Sequence, residues 1–544
     1  MSKRSSPPKY SSDELGHPST KRAKQVDSDL PYSHLQSALE SQSEIKEVTR
    51  VLHWFRGKDL RTQDNTSLHH ASQLAKSHKA PLLCAYVYCE AEESWHGTSP
   101  ARIDFMLSAL ELMQKELEKD LHIPLHFLNA SSREEYDPTI LSFVKDNHIS
   151  HVFANYEYEV DELRRDIRFV NEVAKDGNVQ VSLYHDQTIV EPGTLLTGSG
   201  TPMKVFTPYH RNWLSIVKDD PSLLDTMPAP AANPSSISKD KALTSLFDTP
   251  VPIPSESKSF SDNDDKKRIR NLWPAGHDAG MKRLTSFLSQ IKTYAATRSQ
   301  PAKNSTSRMS AYFSSGQVGM RETLSLLRTK ANDNSADFTE AGPKNPGVYG
   351  WIREIVFREL YRQTTLTTPH TVMNLPQNLK FDFVEWEEDD EGWKKWCEGR
   401  TGEPFIDAGM RQLNTEAYMH NRLRMNVSSY LYCNLLLDYR RGERYFAETL
   451  IDWDLSNNTQ GWEPSYTVFN PVSQAERNDP DGDYIRKWVP ELRDVQGKAV
   501  FAPHARLSKD EFEKLGYPKP HVDWKETKQR AIERFKRDMA DADP

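Results

Sequence analysis

Three stretches in the second half of the sequence place hydroxyl, charged and amide side chains where a ligand could use them. The first, "KNSTSRMSAYFSSGQVG" at 303–319, surrounds Arg308 with serine and threonine hydroxyls just before a predicted helix. Backbone N–H groups, hydroxyls and a guanidinium in such a position can hold a phosphate. A serine-rich loop that only caps the helix is the more common arrangement and is the alternative.

The second stretch, "GWIREIVFRELYRQ" at 350–363, has the period of a helix. It places Trp351, Glu354 and Arg358 at i, i+3 and i+7, so an indole, a carboxylate and a guanidinium share one face. An intrahelical salt bridge is the alternative to a binding face.

The third stretch, residues 401–432, contains a helix on which Asn421, Met425 and Ser428 share a face. Three basic side chains lie beside that face: His420, Arg422 and Arg424. A helix with this many polar side chains indicates a surface for a ligand or for DNA, and a solvated helix is the alternative.

The elements that must position these side chains fall into four segments. Residues 1–48 are rich in serine, proline and charge and predict a disordered basic tail. In residues 49–195, short β-branched or aromatic runs alternate with helical stretches, which predicts an α/β domain with a doubly wound parallel sheet. Residues 196–275 predict an interdomain connector. Residues 276–540 have helical periods almost throughout and predict an all-α domain.

Composition restricts the class of protein. Of the 544 residues, 37% are apolar, and no run of 18 apolar residues occurs, so we expect a large core and no membrane span. The four cysteines lack the spacing of metal ligands, which favours reduced thiols in a cytosolic or nuclear compartment. The net charge of -8 hides a local excess of basic residues at 279–362, where an anionic partner could bind.

The predicted α/β domain lacks a G-x-G-x-x-G fingerprint, so a dinucleotide bound in the usual Rossmann manner is not supported. Its first strand leads into "LHWFRGKDLRTQDN" at 52–65, which places charged side chains at the carboxyl edge of the sheet, where ligands of such sheets usually bind. A structural cluster of salt bridges is favoured there over a binding site.

Five motifs occurring in order resemble the photolyase/cryptochrome flavoprotein family, and the resemblance covers residues 49 to 540. They are "WFRGKDLRTQDN" at 54–65, "STSRMS" at 305–310, "TGEPFIDAGMRQL" at 401–413, "MHNRLRM" at 419–425 and "LIDWDLSNN" at 450–458. The fourth motif is most similar to that of the class I cyclobutane pyrimidine dimer DNA photolyases, and Met425 is the residue that discriminates this class within the family.

The resemblance implies an FAD in the all-α domain. By similarity, its binding residues are Tyr294, Arg298, Thr306, Ser307, Met309, Ser310, Trp351, Arg358, Asn421, Asp452, Asp454 and Asn458. Asn458 would face flavin N5, where a neutral amide oxygen can accept a hydrogen bond and favour the reduced forms. The implied partner is UV-damaged DNA containing pyrimidine dimers, which photolyases as a class flip out of the duplex before they act.

The same resemblance implies roles for further side chains. Glu354, Asn458 and Met425 are expected to take part in catalysis. The expected DNA contacts are Arg358, Arg422, Arg424 and Phe357, the last at a position where relatives usually carry tryptophan. The expected electron-transfer chain consists of Trp462, Tyr439 and Trp386, and its central tyrosine replaces the family's tryptophan, which predicts slower photoreduction.

The stretch "GWEPSYTVFNP" at 461–471 is the largest departure from the family pattern. Relatives insert a loop with a second substrate-stacking tryptophan after the position of Trp462, and that loop is absent here. Stacking on an aromatic side chain contributes about 1–3 kcal/mol per base, so dimer repair is expected to be impaired. A cryptochrome-like FAD blue-light photoreceptor without repair activity is the alternative function.

The α/β domain is expected to hold an antenna chromophore. "NYEYEVDE" at 155–162 resembles the stretch that binds methenyltetrahydrofolate in some relatives, with Glu162 as the expected ligand; a deazaflavin or an empty site are the alternatives. Basic Lys21, Arg22 and Lys24 favour a nuclear location, with mitochondria as a second compartment. We expect a monomer.

Overall fold

Five parallel strands form the sheet of the α/β domain. The computed structural model describes residues 7–11, 14–237, 240–330, 345–540 and 542–544. The strands are β1 (Val51–Phe55), β2 (Leu82–Tyr88), β3 (Leu125–Asn129), β4 (His151–Asn155) and β5 (Gln180–Tyr184). Their order is β3-β2-β1-β4-β5, so the chain winds outward from β1 in both directions. The predicted doubly wound sheet is therefore confirmed, and β1, β2 and β4 are buried along their whole length.

Helices cover both faces of this sheet and continue into the segment that follows it. Those up to the end of the sheet are α1 (Thr20–Ser28), α2 (Pro31–Glu40), α3 (Thr66–His78), α4 (Glu90–Ser94), α5 (Pro100–Leu121), α6 (Arg133–Asp146) and α7 (Val160–Asp176). Those of the connecting segment are α8 (Phe206–Asp219), α9 (Lys241–Thr244) and α10 (Asn263–Leu272).

The rest of the described chain is helical, as predicted. Its first helices are α11 (His277–Leu288), α12 (Tyr294–Thr297), α13 (Ser310–Ser314), α14 (Met320–Lys330), α15 (Pro346–Thr367), α16 (Asp390–Glu398), α17 (Pro404–Glu416) and α18 (Asn421–Ser429). They are followed by α19 (Tyr439–Ala447), α20 (Leu455–Gly461), α21 (Pro471–Asn478), α22 (Asp483–Trp488), α23 (Pro503–Arg506), α24 (Lys509–Lys514) and α25 (Trp524–Ala540).

The N-terminal segment contains α1 and α2, so the prediction of a disordered tail is wrong for residues 20–40. The Ser19 side chain accepts a hydrogen bond from the Arg22 N–H and caps α1. Leu35 and Ala38 of α2 are buried in the core that α7 also enters. The high charge of the segment predicted disorder, although it contains a few apolar residues. These residues are enough to hold α2 because the folded α/β domain supplies the surface on which they pack.

In its described residues, the predicted connector at residues 196–275 contains α8, α9 and α10, which are separated by stretches without α-helix. Tyr209 and Trp213 of α8 are buried, and the Trp213 indole donates to Glu359 of α15 at 2.6 Å. The segment becomes ordered because the two domains on either side bury its apolar residues.

The turn after β1 joins the two domains through buried charges. Arg61 donates to Asp186 and to the carbonyl oxygen of Gly316 at 3.1 Å. Arg321 of α14 donates to Asp64 at 2.8 Å and to Asp186 at 2.7 Å. The structural interpretation of this turn is confirmed, since Arg61 and Arg321 both pair with buried carboxylates of opposite charge.

All four cysteines are buried, and none of them forms a disulfide. Among the described residues, no helix is long and apolar enough to cross a membrane.

Candidate FAD and DNA site

Helix α15 carries its predicted face into the all-α domain. Asn345 accepts from the Val348 N–H at 3.2 Å and caps the helix. Trp351 is buried, whereas the Glu354 side chain is 38% exposed and pairs with Arg298, which follows α12. The expected indole and carboxylate therefore share a face, and the carboxylate pairs with a neighbouring element instead of within its own helix.

Two further arginines continue the same face of α15. Arg362 is fully buried and binds both oxygens of Asp454. Although burial opposes it, the Arg362 guanidinium holds the pKa of Asp454 far below its usual range. Arg358 donates to the backbone oxygens of Gln187 and Phe313, and burial together with the charge of Arg362 lowers its pKa to about 10. These arginines reach toward the domain joint, where Gln187 lies.

The predicted phosphate loop follows α12 and ends at α13. Arg308 adopts a left-handed backbone conformation (φ 50°) and its guanidinium lies 4.9 Å from the centroid of the Tyr418 ring. The Ser305 hydroxyl oxygen is buried and has no hydrogen-bond partner in the part of the chain that the structure describes. The remaining expected contacts differ in exposure: Tyr294 and Met309 are buried, Thr306 and Ser307 are half-buried and Ser310 is exposed. The loop thus contains an unsatisfied polar group of the kind that a ligand would satisfy.

Positive charge surrounds His420 at the start of α18. Burial and the charges of Arg308, Arg422 and Arg424 lower the pKa of His420 to about 4, so its ring is neutral at pH 7. Its Nε2 atom and the Nε atom of Arg422 are buried, and neither has a hydrogen-bond partner among the residues described. Arg424 pairs with Asp452 at 2.7 Å, but no ion pair to Arg422 occurs among the described residues. A positive region with an unpaired guanidinium is suited to an anion.

Helix α20 fixes the orientation of Asn458. Asp454 accepts from the Asn457 N–H at 2.9 Å and caps this helix, so the ion pair with Arg362 also anchors its first turn. The Asn458 amide nitrogen donates to the carbonyl oxygen of Glu443 at 3.0 Å. This bond leaves the amide oxygen to accept from a ligand, as the sequence prediction requires.

The three expected electron-transfer residues do not form one continuous chain of ring contacts. Tyr439 and Trp386 are in contact, with ring centroids 6.1 Å apart. In the part of the chain that the structure describes, Trp462 contacts the rings of Trp396 and Phe446 at 6.2 and 4.9 Å, and not that of Tyr439. Only the outer half of the expected chain is thus brought together.

Comparisons with known proteins agree with this architecture. The family described as "DNA photolyase" matches residues 51–232, and the "FAD binding domain of DNA photolyase" matches residues 351–537. A deoxyribodipyrimidine photo-lyase of Neurospora crassa is 39% identical over 513 residues, which cover 90% of this chain and 82% of that protein. The chain belongs to the DNA photolyase family.

Two further photolyases show how far the similarity extends. A mitochondrial deoxyribodipyrimidine photo-lyase of Saccharomyces cerevisiae is 31% identical over 90% of this chain and 87% of its own length. The crystal structure of a class III photolyase from Agrobacterium tumefaciens superposes with a TM-score of 0.75 at 26% identity, covering 92% of this chain and all of that one.

The side chains of this photolyase-family domain fit an FAD. Buried polar atoms of Ser305, His420 and Arg422 lack partners, and the surrounding charge is positive, as a pyrophosphate requires. The Asn458 amide oxygen is available as an acceptor. Asn421 is exposed at the first residue of α18. The matched FAD-binding region begins at residue 351, so the contacts expected from the loop before it stay predictions.

The structure corrects part of the expected DNA surface. Phe357 is stacked on Phe206, with ring centroids 3.5 Å apart and planes 4° apart, because the connecting segment folds over it. Arg358 is directed into the domain joint and Arg424 is held by Asp452, so neither is free for a phosphate. Of the three expected arginines, Arg422 is the one that neither pairs with a carboxylate nor donates into the domain joint among the described residues.

The residues that follow Trp462, where relatives carry an additional loop, form a short segment held by specific hydrogen bonds. The Glu463 carboxylate accepts from the backbone N–H groups of Gln377 (2.8 Å) and Asn378 (3.1 Å). The Phe469 N–H donates to Ser429 at 3.2 Å, and Tyr466, 52% exposed, packs on Phe381. The segment supplies no tryptophan.

A cleft of about 400 Å³ lies between the domains at the start of α7. Its lining residues include Gly16, Trp95, His96, Glu159, Asp161, Met373 and Arg444. Glu162 follows Asp161 directly, and its buried Oε2 atom has no hydrogen-bond partner within the described ranges. Burial and the charge of Glu159 raise the pKa of Glu162 well above its usual range. The expected antenna ligand thus adjoins a cleft that could hold a small chromophore.

Sequence reasoning missed two residues that organise the site. Arg362 continues the period of Trp351 and Arg358 by one more turn, and that spacing was the available signal. Glu359 accepts from the N–H groups of Ile189 and Val190 and from the Trp213 indole; burial raises its pKa to about 7. No local pattern reveals Glu359, because its partners come from a distant segment.

Proposed function

We propose that this chain repairs cyclobutane pyrimidine dimers in DNA with light, using FAD bound in its all-α domain. The observation that carries the proposal is a solvent-open strip beside the buried Trp351. In this strip Arg298 pairs with Glu354, and Arg422 contacts Met425 at 3.6 Å. Glu354 and Met425 are 38% and 40% exposed. A strip with two cations, one carboxyl group and one thioether matches the chemistry of a flipped pyrimidine dimer and its phosphates.

Each side chain of the strip has a separate task in this proposal. Arg422 holds a DNA phosphate, and its contribution therefore weakens with salt. Arg298 positions Glu354 through their ion pair. Glu354 hydrogen-bonds the polar edge of the pyrimidines, and Met425 packs against their apolar faces. Asn458 orients the cofactor through its amide oxygen. When bound, reduced FAD supplies under light the electron that splits the dimer and takes it back afterwards.

The test measures three quantities on one preparation: FAD content, affinity for oligonucleotides with and without a dimer, and dimer loss under blue light. We expect FAD to be bound, dimer-containing DNA to be preferred, and dimers to disappear only in the light. A folded protein that takes up no added FAD, or equal affinity for damaged and undamaged DNA, would remove the repair function.

A photoreceptor without repair activity is the second candidate, and two observations favour it. The segment after Trp462 lacks a stacking tryptophan, and Phe357 is covered by Phe206. If the protein binds FAD and responds to blue light but leaves dimers intact, this candidate replaces the first.

We propose further that the cleft beside Glu162 holds a methenyltetrahydrofolate antenna. The pKa of the Glu162 carboxyl group is raised, so this group can be protonated and donate a hydrogen bond to the pterin ring. The fluorescence of added folate should be quenched in the wild type, because bound folate transfers its excitation energy to FAD. The quenching should be weaker in Glu162→Ala. Unchanged fluorescence in both would leave the cleft to another occupant.

The proposed location is the nucleus. Lys21, Arg22 and Lys24 are exposed on α1, where a receptor for basic segments can reach them. A fluorescent fusion should lose nuclear enrichment when all three are replaced by alanine; mitochondrial fluorescence without nuclear enrichment in the wild type would contradict the proposal.

A further inference from the structure

A second line of aromatic rings leads from Trp462 to the surface. Trp462 contacts Trp396 at 6.2 Å, and Trp396 is stacked on Trp393 at 5.4 Å with planes 16° apart. Trp393 contacts Tyr10 of the N-terminal segment at 6.0 Å. The three tryptophans are 2% exposed or less, whereas Tyr10 is half-buried. Continuous ring contact is what short electron-transfer steps require, and here it ends at a residue that solvent can reach.

The N-terminal segment is held on this line by specific contacts. The Trp393 indole donates to the carbonyl oxygen of Pro8 at 2.9 Å. The Tyr10 hydroxyl donates to the Glu448 carboxylate at 3.1 Å, and Arg444 binds the same carboxylate group at 2.9 Å. A tyrosine loses its phenolic proton when it is oxidised, so a carboxylate on its hydroxyl makes it a suitable electron donor.

The other route, through Tyr439, lacks these properties. The Tyr439 hydroxyl is buried, and no group of the described chain accepts its proton. The Arg440 guanidinium lies 4.9 Å from the centroid of its ring, where a positive charge disfavours loss of an electron. Trp462 also has no ring contact with Tyr439 among the described residues. The replacement of tryptophan by tyrosine in the middle of this route therefore blocks it.

We propose that Tyr10 is the terminal electron donor of this protein, acting through Trp393 and Trp396 on Trp462. The proposal rests on the proposed FAD binding. Under blue light, Trp462 gives one electron to the oxidised cofactor. The missing electron, or vacancy, is then refilled from Trp396, which is refilled from Trp393 and finally from Tyr10. Tyr10 gives one electron to Trp393 and its proton to Glu448. A small thiolate in solution then gives one electron to the tyrosyl radical, Glu448 returns the proton, and two thiyl radicals combine to a disulfide.

The position of Arg441 favours the last transfer. Its guanidinium lies 4.5 Å from the centroid of the Trp393 ring, so a positive charge on Trp393 is destabilised. Tyr10 becomes a neutral radical when it hands its proton to Glu448 and escapes this repulsion. The positive charge on Trp393 is therefore passed on to Tyr10.

The experiment detects the tyrosyl radical by electron paramagnetic resonance in FAD-loaded full-length protein under blue light, before thiol is added. We expect the signal in the wild type, its loss in Tyr10→Phe and Trp396→Phe, and a weaker signal in Glu448→Gln. Tyr445→Phe is the matched control, because Tyr445 also contacts Trp393 and Trp396 but donates to the amide of Asn414. A signal that persists in Tyr10→Phe, or disappears in Tyr445→Phe or Tyr439→Phe, would overturn the proposal.

A cofactor-free measurement separates this inference from FAD binding. Azidyl radicals oxidise tryptophan by one electron, and transfer to tyrosine is then seen as the growth of phenoxyl absorption. The growth should be reduced in Tyr10→Phe and kept in Tyr445→Phe. Identical traces for Tyr10→Phe and the wild type would overturn the relay, whereas a failure to bind FAD would overturn the proposed function only.

Discussion

Replacing Asp454 with asparagine should destabilise the all-α domain strongly. Asp454 and Arg362 are 2% and 0% exposed, so the substitution leaves a guanidinium buried without its counter-charge. Losing one partner of such a pair costs about 3–5 kcal/mol, a large part of the roughly 5–15 kcal/mol by which a typical domain is stable. Asparagine is a good N-cap, so the start of α20 stays capped and the effect reports the charge.

Urea unfolding followed by tryptophan fluorescence measures this effect. Glu111→Gln is the control, because its pair with Lys115 has 51% and 65% exposed side chains and contributes only about 0.3–0.5 kcal/mol. The double variant Arg362→Met with Asp454→Leu should recover much of the loss, since no buried charge remains. A shift for Asp454→Asn no larger than that for Glu111→Gln would show that the pair is solvated in solution.

Three further outcomes are expected. Inserting a family-like loop with a stacking tryptophan between Trp462 and Glu463 should raise light-dependent dimer loss per bound FAD, since stacking contributes about 1–3 kcal/mol; equal rates would show that the loop is dispensable. Glu354→Ala should lower dimer splitting more than FAD occupancy, and an equal loss of both would make Glu354 a structural residue. Burial raises the pKa of Glu443 from 4.5 to about 8. The contribution of protonated Glu443 to the free energy of unfolding is therefore complete below pH 4.5 and is lost as the pH rises to 8. The free energy of unfolding falls by at most about 1.4 kcal/mol per pH unit in this range. Glu443→Gln should flatten this pH dependence of the urea midpoint, and an unchanged slope would assign it to another group.

Local sequence was sufficient for the two folds. The strands appear as short apolar runs bounded by turns, and the helices as a 3.6-residue period, and both signals arise from neighbours in the chain. The face of α15 with Trp351 and Glu354 followed from spacing alone, because a helix brings i, i+3 and i+7 together whatever surrounds it.

Tertiary structure decided which charges are partners and which remain open. The sequence predicted that Arg358 and Arg424 contact phosphates. In the folded chain, Arg358 donates to the Gln187 carbonyl oxygen and Arg424 pairs with Asp452, because folding brings these distant residues close. The charged segment at residues 20–40 becomes helical because another domain buries its few apolar residues.

The relay shows the same division. Each aromatic residue can be read from the sequence, but Tyr10 lies 383 positions before Trp393, and no periodic pattern spans such a distance. Electron transfer depends on ring separation and on a proton acceptor within hydrogen-bond reach. Those are properties of side chains from remote segments, which the packed chain alone brings together.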